Sequence, residues 1–378
     1  MRNFELETYF SKWEFSARHH MTASDAQSLT VNELLSMASL PNDALGDLFL
    51  GYTETWGAPD LREAIASTYD NMKPENILCF AGAEEGVYTA MRVLLDASDH
   101  AIVVTPNYQA AETVPLDICE VSGVPLVEAD NWRLDLDALK TAIKTNTKLV
   151  SVCFPNNPTG AIPSQANFAE LVSICRENNL YLFCDEVYRG LELDSRKRIK
   201  QAADIYEKGL SLSVMSKAYG LPGLRIGWIA SQDKEVLTRL ERYKHYLSIC
   251  NSAPSERLAV IALSVREALL TRVQIIMHEN VTKLEAFFKS YPALFEWQRP
   301  DGGCIAYPRF IGRGGVEAFC ESLVEDAGVL LLPASIYRSE LLHTSEDRFR
   351  VGFGRSNIDE GLEAFGFYLD RHHNTLTP

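Results

Sequence analysis

Between residues 77 and 214 the chain alternates short apolar runs with longer stretches of helical periodicity. ENILCF is followed by EEGVYTAMRVLLD, HAIVVT by AETVPLDICEV, TKLVSVCF by QANFAELVSICRENN, and LYLFCDEV leads on to LSLSVMS. Strands buried on both faces of a parallel sheet read as continuous apolar runs, and the helices that cross between them read with a 3.6-residue period. The alternation therefore predicts an α/β fold, a mostly parallel central sheet flanked by helices. In such sheets ligands gather in the loops beyond the carboxyl ends of the strands.

From about residue 233 to 290 the pattern turns helical (DKEVLTRLERYKHYLS, then SERLAVIALSVREALLTRVQIIMHENVTKLEAFFKS), long enough to bridge two domains. Beyond it CIAYPRF, GGVEAFCESLVEDA, GVLLLPA, DRFRVGFG and DEGLEAFGFYLDRHH predict a small α+β domain. The division expected is an N-terminal arm at 1–45 contributing to the small domain, a large domain at 46–285 and the small C-terminal domain at 286–378. No internal repeat or low-complexity tract interrupts it.

Composition narrows the class of partner. Of 378 residues, 46% are hydrophobic and 23% charged, the balance of an ordinary globular enzyme. A net charge of -15 opposes nucleic acid, and no basic cluster reverses it locally. The opening MRNFELETYFSKWEFSARHH has no apolar signal core, and no segment approaches 18 uncharged apolar residues, so a cytoplasmic protein without a membrane span is expected. The eight cysteines lack CxxC spacing, which predicts reduced thiols and no metal site.

The loops after the apolar runs carry the candidate chemistry. Lys217 and Arg225 share SKAYGLPGLRIGW, an amine and a guanidinium in one tight loop. Asp185 ends the run LYLFC, with Tyr188 three residues on. Asn157 lies in NNPTG, Tyr108 in VTPNYQA, and the small-residue turn into EEGVYTAMRVLL leaves free N–H groups near Ala83 and Glu84. Glu84 and Glu85 put negative charge beside that turn, tolerable for an anion only if they point away. Singly, each residue has an ordinary alternative: a solvated lysine, a helix cap, a turn asparagine, a core tyrosine. Together they match the demands of pyridoxal 5'-phosphate (PLP): an amine for the aldehyde, a carboxylate for the pyridine nitrogen, donors for the ring oxygen and a cradle for the phosphate.

These motifs, with GYTETWGAPDLREAIA and the arginine strand FRVGFG, resemble the class I/II aminotransferases of PLP fold type I, from about Tyr52 to the C-terminal helix. The resemblance implies a homodimer that exchanges an amino group between an amino acid and a 2-oxo acid. It implies Lys217 as Schiff-base lysine, Asp185 at the pyridine nitrogen, Asn157 and Tyr188 at the ring oxygen, Tyr108 stacked on the ring and Arg225 on the phosphate. It further implies Tyr52 reaching the phosphate of the neighbouring subunit's cofactor, and Arg350 gripping the substrate α-carboxylate. One departure stands out: where the family usually has Ser or Thr, three residues before the lysine, this chain has Val214, and Ser216 is the candidate to replace the lost phosphate donor. The N-terminal stretch and GGCIAYPRF also look like the capreomycidine-synthase branch, which implies an alternative of elimination, replacement or cyclisation on an arginine derivative.

Overall fold

The computed structural model describes residues 1–377. Eight strands form the central sheet: β1 (Ile77–Phe80), β2 (His100–Thr105), β3 (Glu120–Val127), β4 (Arg133–Leu134), β5 (Thr147–Cys153), β6 (Tyr181–Asp185), β7 (Gly209–Val214) and β8 (Gly227–Ser231). Their spatial order is β1-β8-β7-β6-β5-β2-β3-β4. β7, β6, β5, β2 and β3 pair in parallel, whereas β8 runs antiparallel to both neighbours and β4 closes the far edge as an antiparallel pair. Every residue of β1 and β2 is buried, as continuous apolar runs require.

The helices that frame the cavity and the C-terminal part are α1 (Glu5–Trp13), α2 (Ala83–Leu94), α3 (Arg266–Lys289), α4 (Val316–Ala327) and α5 (Ile358–Leu376). α2 buries Val87, Ala90, Met91 and Leu94, a stripe at helical spacing that packs on the sheet. Gly86 allows that approach, because a Cβ there would lie 2.8 Å from Leu212 of β7. α3 links the two parts of the molecule. Gln274 on it donates to the Gly190 carbonyl, while Phe288 near its end joins a cluster with Phe295, Phe349 and Phe365.

The C-terminal part is α+β. Three short strands, β9 (Ile305–Ala306), β10 (Leu332–Pro333) and β11 (Phe349–Gly352), form an antiparallel sheet with β11 central; α4 packs against β10, and α5 against His19–His20 and Val329–Leu330. The N-terminal segment is woven into it: His19–His20 pairs parallel with Val329–Leu330, and the Gly352 N–H donates to the Met21 carbonyl. No helix among the described residues is long and apolar enough to cross a membrane.

Candidate active site

A cavity of about 520 Å³ opens beyond the carboxyl ends of β1, β2, β5, β6 and β7. Parallel strands that end together bring their following loops together, so residues far apart in sequence share one wall. Nine of the residues singled out above line it: Ala83 and Glu84 from β1, Tyr108 from β2, Asn157 from β5, Asp185 and Tyr188 from β6, and Ser216, Lys217 and Arg225 from β7.

Lys217 stands three residues beyond β7, and its Nζ donates to Ser24 Oγ at 2.9 Å. Burial pushes the ammonium pKa below its ordinary value, opposed by the nearby Asp25 carboxylate. A neutral amine is thereby made easier to reach, the form an aldehyde requires. Asp185 ends β6 in register with Cys153 of β5 and Leu212 of β7. Burial pushes its carboxyl up to about 6, against the Val187 N–H that donates to Oδ1 at 3.1 Å and the charge of Lys217.

The other end of the cavity is built for an anion. α2 begins at Gly82 with no side chain capping its free N–H groups. The Arg225 guanidinium lies against that turn: a Cβ on Gly82, whose φ is +93°, would stand 2.4 Å from Arg225 Nη2. Arg225 makes only one long bond, 3.4 Å to the Pro222 carbonyl. Ser216 Oγ is buried with no hydrogen-bond partner, and so is the Tyr188 hydroxyl. Val214 also lines the cavity but brings no donor. Glu85 turns away, accepting from Ala81 N–H and from Ser248 N–H and Oγ. Glu84 does not clear the site as the anion reading required. It lines the cavity, and the surrounding protein, followed by the charges of Glu7 and Asp185, pushes its carboxyl up to about 7.

Asn157 Oδ1 accepts from Arg350 Nη1 at 3.4 Å and Tyr337 OH at 3.2 Å, which leaves its Nδ2 as the free donor. Arg350 itself is fully buried behind the cavity wall, held by the Thr22 carbonyl and by Tyr337 OH at 2.7 Å. Tyr52 is not brought to this cavity: its side chain is 94% exposed, beside the exposed Phe49 and Leu50.

The N-terminal arm supplies a wall that sequence reasoning left without assigned roles. Phe4, Glu7, Phe10 and Glu14 line the cavity from α1 or just beside it, and His20, Ser24 and Asp25 from the following strap. Asp25 forms a two-bond ion pair with Arg355, at 3.0 and 3.1 Å, and Arg355 also lines the cavity. Arg355 lies five residues beyond Arg350 in FRVGFGRS, a charged residue in a Gly-rich stretch, which was the one available signal.

Residues 25–365 match the family of aminotransferases class I and II. The chain belongs to that family. Capreomycidine synthase of Streptomyces vinaceus is 30% identical over 374 residues, covering 97% of this chain and 94% of that enzyme. Aspartate aminotransferase of Pyrococcus horikoshii is 27% identical over 306 residues, 78% of this chain and 77% of its own. The crystal structure of a PLP-dependent aminotransferase from Streptococcus suis superposes with a TM-score of 0.92 at 29% identity, covering 98% of each chain. As a class I/II enzyme of PLP fold type I, this protein depends on PLP. The residues fit that group: an uncapped helix start beside a guanidinium suits a phosphate, and two orphaned buried hydroxyls, Ser216 and Tyr188, suit acceptor oxygens.

Proposed function

We propose that this chain transfers an α-amino group between an amino acid and a 2-oxo acid, with Lys217 as both cofactor-holding and proton-moving residue. The observation that carries this reading is the Lys217 amine, its pKa lowered by burial, sharing one cavity with Asp185 and the anion cradle. When bound, PLP supplies an electron sink for the negative charge left at Cα. The roles of the protein groups come from their donors. Arg225, Ser216 Oγ and the first N–H groups of α2 would hold the phosphate. Tyr188 OH and Asn157 Nδ2 would donate to the ring oxygen, and the Asp185 carboxylate would hold a proton on the pyridine nitrogen. Tyr108 would cover the ring face. Arg350, held behind the wall by the Thr22 carbonyl and the Tyr337 hydroxyl, would exchange those bonds for a two-pronged one to the substrate carboxylate that Lys could not reproduce. Lys217 Nζ, freed once the incoming amine takes its place, would take the proton from Cα and return it two atoms further on, to the carbon beyond the substrate nitrogen.

A homodimer belongs to this reading, with Tyr52 directed to the partner's phosphate. Supporting it, Phe49, Leu50 and Tyr52 and a second group, Tyr246, Leu247 and Ile249, are exposed large apolar side chains on neighbouring segments bridged by Thr53 Oγ1 donating to the Asn251 carbonyl.

The test is Lys217→Ala, which should abolish turnover together with the absorbance band of the lysine-bound cofactor; full activity in that variant would overturn the proposal. A second reading is favoured by the likeness to capreomycidine synthase, namely that the same proton abstraction leads to loss of a β-substituent and ring closure. Single amino acids supplied without an acceptor separate the two. Stoichiometric conversion of the cofactor to its aminated form marks transfer, whereas continuous turnover without that conversion marks elimination or cyclisation.

A further inference from the structure

Successive side chains of a strand point to opposite faces of its sheet, so neighbours of the residues lining the cofactor cavity face a different space. At the end of β7, Val214 lines the cavity and Ser213 lines a second recess, of about 170 Å³. The loops divide in the same way. Tyr188 lines the cavity and Arg189 the recess; Lys217 lines the cavity and Tyr219 the recess. The recess thus backs onto the segments that carry the cofactor groups, yet shares no lining residue with the cavity.

Its charge is opposite to that of the chain. Against a net charge of -15, three guanidiniums line it, Arg189, Arg198 and Arg266, with Glu267 as the one carboxylate among the described lining residues. They stand on the turn after β6, on the segment before residue 200 and at the start of α3, so no window of the sequence brings them together. Each keeps donors to spare. Arg189 Nη1 donates to the Ile199 carbonyl at 2.6 Å, and the residue pairs with no carboxylate among the described residues. Arg198 is held by the buried Glu192 through Nε at 2.8 Å, while its Nη groups make no hydrogen bond among the described residues. Arg266 meets Glu267 at 3.3 Å, but that carboxylate is 85% exposed and water screens the pair.

A second, independent observation is a pair of neutral groups that face the recess unpartnered. Gln201 is 5% exposed and makes no capping bond to the short helix Ala202–Ile205 that it precedes, nor does its amide hydrogen-bond any other described residue. The Tyr219 hydroxyl is likewise without a partner among the described residues; burial pushes its pKa up to about 12 against the pull of Arg266, Arg189 and Arg198, so it remains a donor. The floor, by contrast, is satisfied, with Trp228 Nε1 donating to Tyr69 OH at 2.9 Å. Buried donors beside like charges call for an acceptor that is also an anion.

We propose that this recess binds a compact oxyanion carrying two negative charges, a free phosphate or the phosphate group of a small ester, held by Arg189, Arg198 and Arg266 with Gln201 and Tyr219 as neutral donors. Guanidinium forks match phosphate oxygens in pairs. Arg189 adjoins Tyr188, and Tyr219 lies two residues from Lys217. The anion therefore fastens the segments behind the cofactor groups without entering the cofactor cavity.

The experiment is calorimetric titration of the holoenzyme, whose own anion cradle the cofactor would fill, with inorganic phosphate at constant ionic strength. One saturable site per chain is expected. Arg266→Gln should weaken it about tenfold, the loss expected for one charge-assisted hydrogen bond, and Arg198→Gln combined with Arg266→Gln should abolish it. The absorbance band of the lysine-bound cofactor, retained in each variant, checks that the fold is intact; should the double variant lose that band, Arg266→Gln decides alone. Glycerol 3-phosphate titrated in parallel separates the sources, since tighter binding than phosphate marks an ester and weaker binding the free ion. No saturable binding by the parent holoenzyme, or an affinity unchanged in Arg266→Gln, would overturn the proposal and leave the PLP reading untouched.

Discussion

Asp185 is a carboxylate held where burial opposes its charge. Its pKa is displaced upward from 3.8 to about 6, so the contribution it makes to stability is full below pH 4 and is lost as pH rises through 6. The cofactor-free chain should therefore lose about 2–3 kcal/mol between pH 4 and 7 from this group. Asp185→Asn should melt higher than the parent at pH 7 and converge with it near pH 4 in thermal scans of apoprotein. The same variant should lose most of its turnover, because an amide cannot hold the pyridine proton. Ser216 is the opposite case, a hydroxyl waiting for an acceptor. A hydrogen bond to a charged group contributes about 1.5–3 kcal/mol, so Ser216→Ala should raise the PLP dissociation constant roughly 10- to 100-fold in a titration. Lys217, Asp185 and Asn157 were legible because each closely follows an apolar run, where strand end and loop can be read together. His20, Ser24, Asp25 and Arg355 were not. They reach the cavity through pairings only two residues long, such as His19–His20 with Val329–Leu330, which leave no periodicity to detect.

Among the elements, α2 joins the sheet to the anion cradle through a turn that only glycine fits. Gly82→Ala would add both left-handed strain and a clash with Arg225. The expected cost is roughly 1–2 kcal/mol in denaturant unfolding, with weakened PLP binding as the guanidinium is displaced. α1 is fastened differently: Gln109 accepts from the Glu5 N–H at 2.9 Å and donates to the Asn3 carbonyl at 2.6 Å. Gln109→Ala should loosen that helix, raising KM for the amino acid severalfold while changing PLP affinity little, a split visible in steady-state kinetics. Strands and long helices of the α/β core could be read from their periods. β8 could not be distinguished by direction, since an apolar run does not say which way it points; the loop of residues 215–226 that leads into it holds no crossover α-helix.

At the scale of the molecule, the exposed residues Phe49, Leu50, Tyr52, Tyr246, Leu247 and Ile249 are unusual for a chain whose other large apolar side chains are mostly buried. If a second copy covers them, the parent protein should sediment as a dimer, and Leu50→Asp with Ile249→Asp should shift it toward monomer and weaken PLP binding together. A parent that sediments as a monomer at micromolar concentration would count against that interface. The family-level architecture was readable from sequence because it depends on many residues at once, whereas the crossing of residues 19–26 into the C-terminal sheet depends on a few contacts such as Gly352 N–H to the Met21 carbonyl.

One wall of the cavity is lined from α1, and the groups that would face the cofactor sit on loops beyond the sheet. What the enzyme chooses and what it does to the chosen molecule are thus inherited on separate stretches of chain. Changes in the first fourteen residues can shift substrate preference without disturbing Lys217 and its neighbours, so two descendants could diverge in diet while keeping the same chemistry.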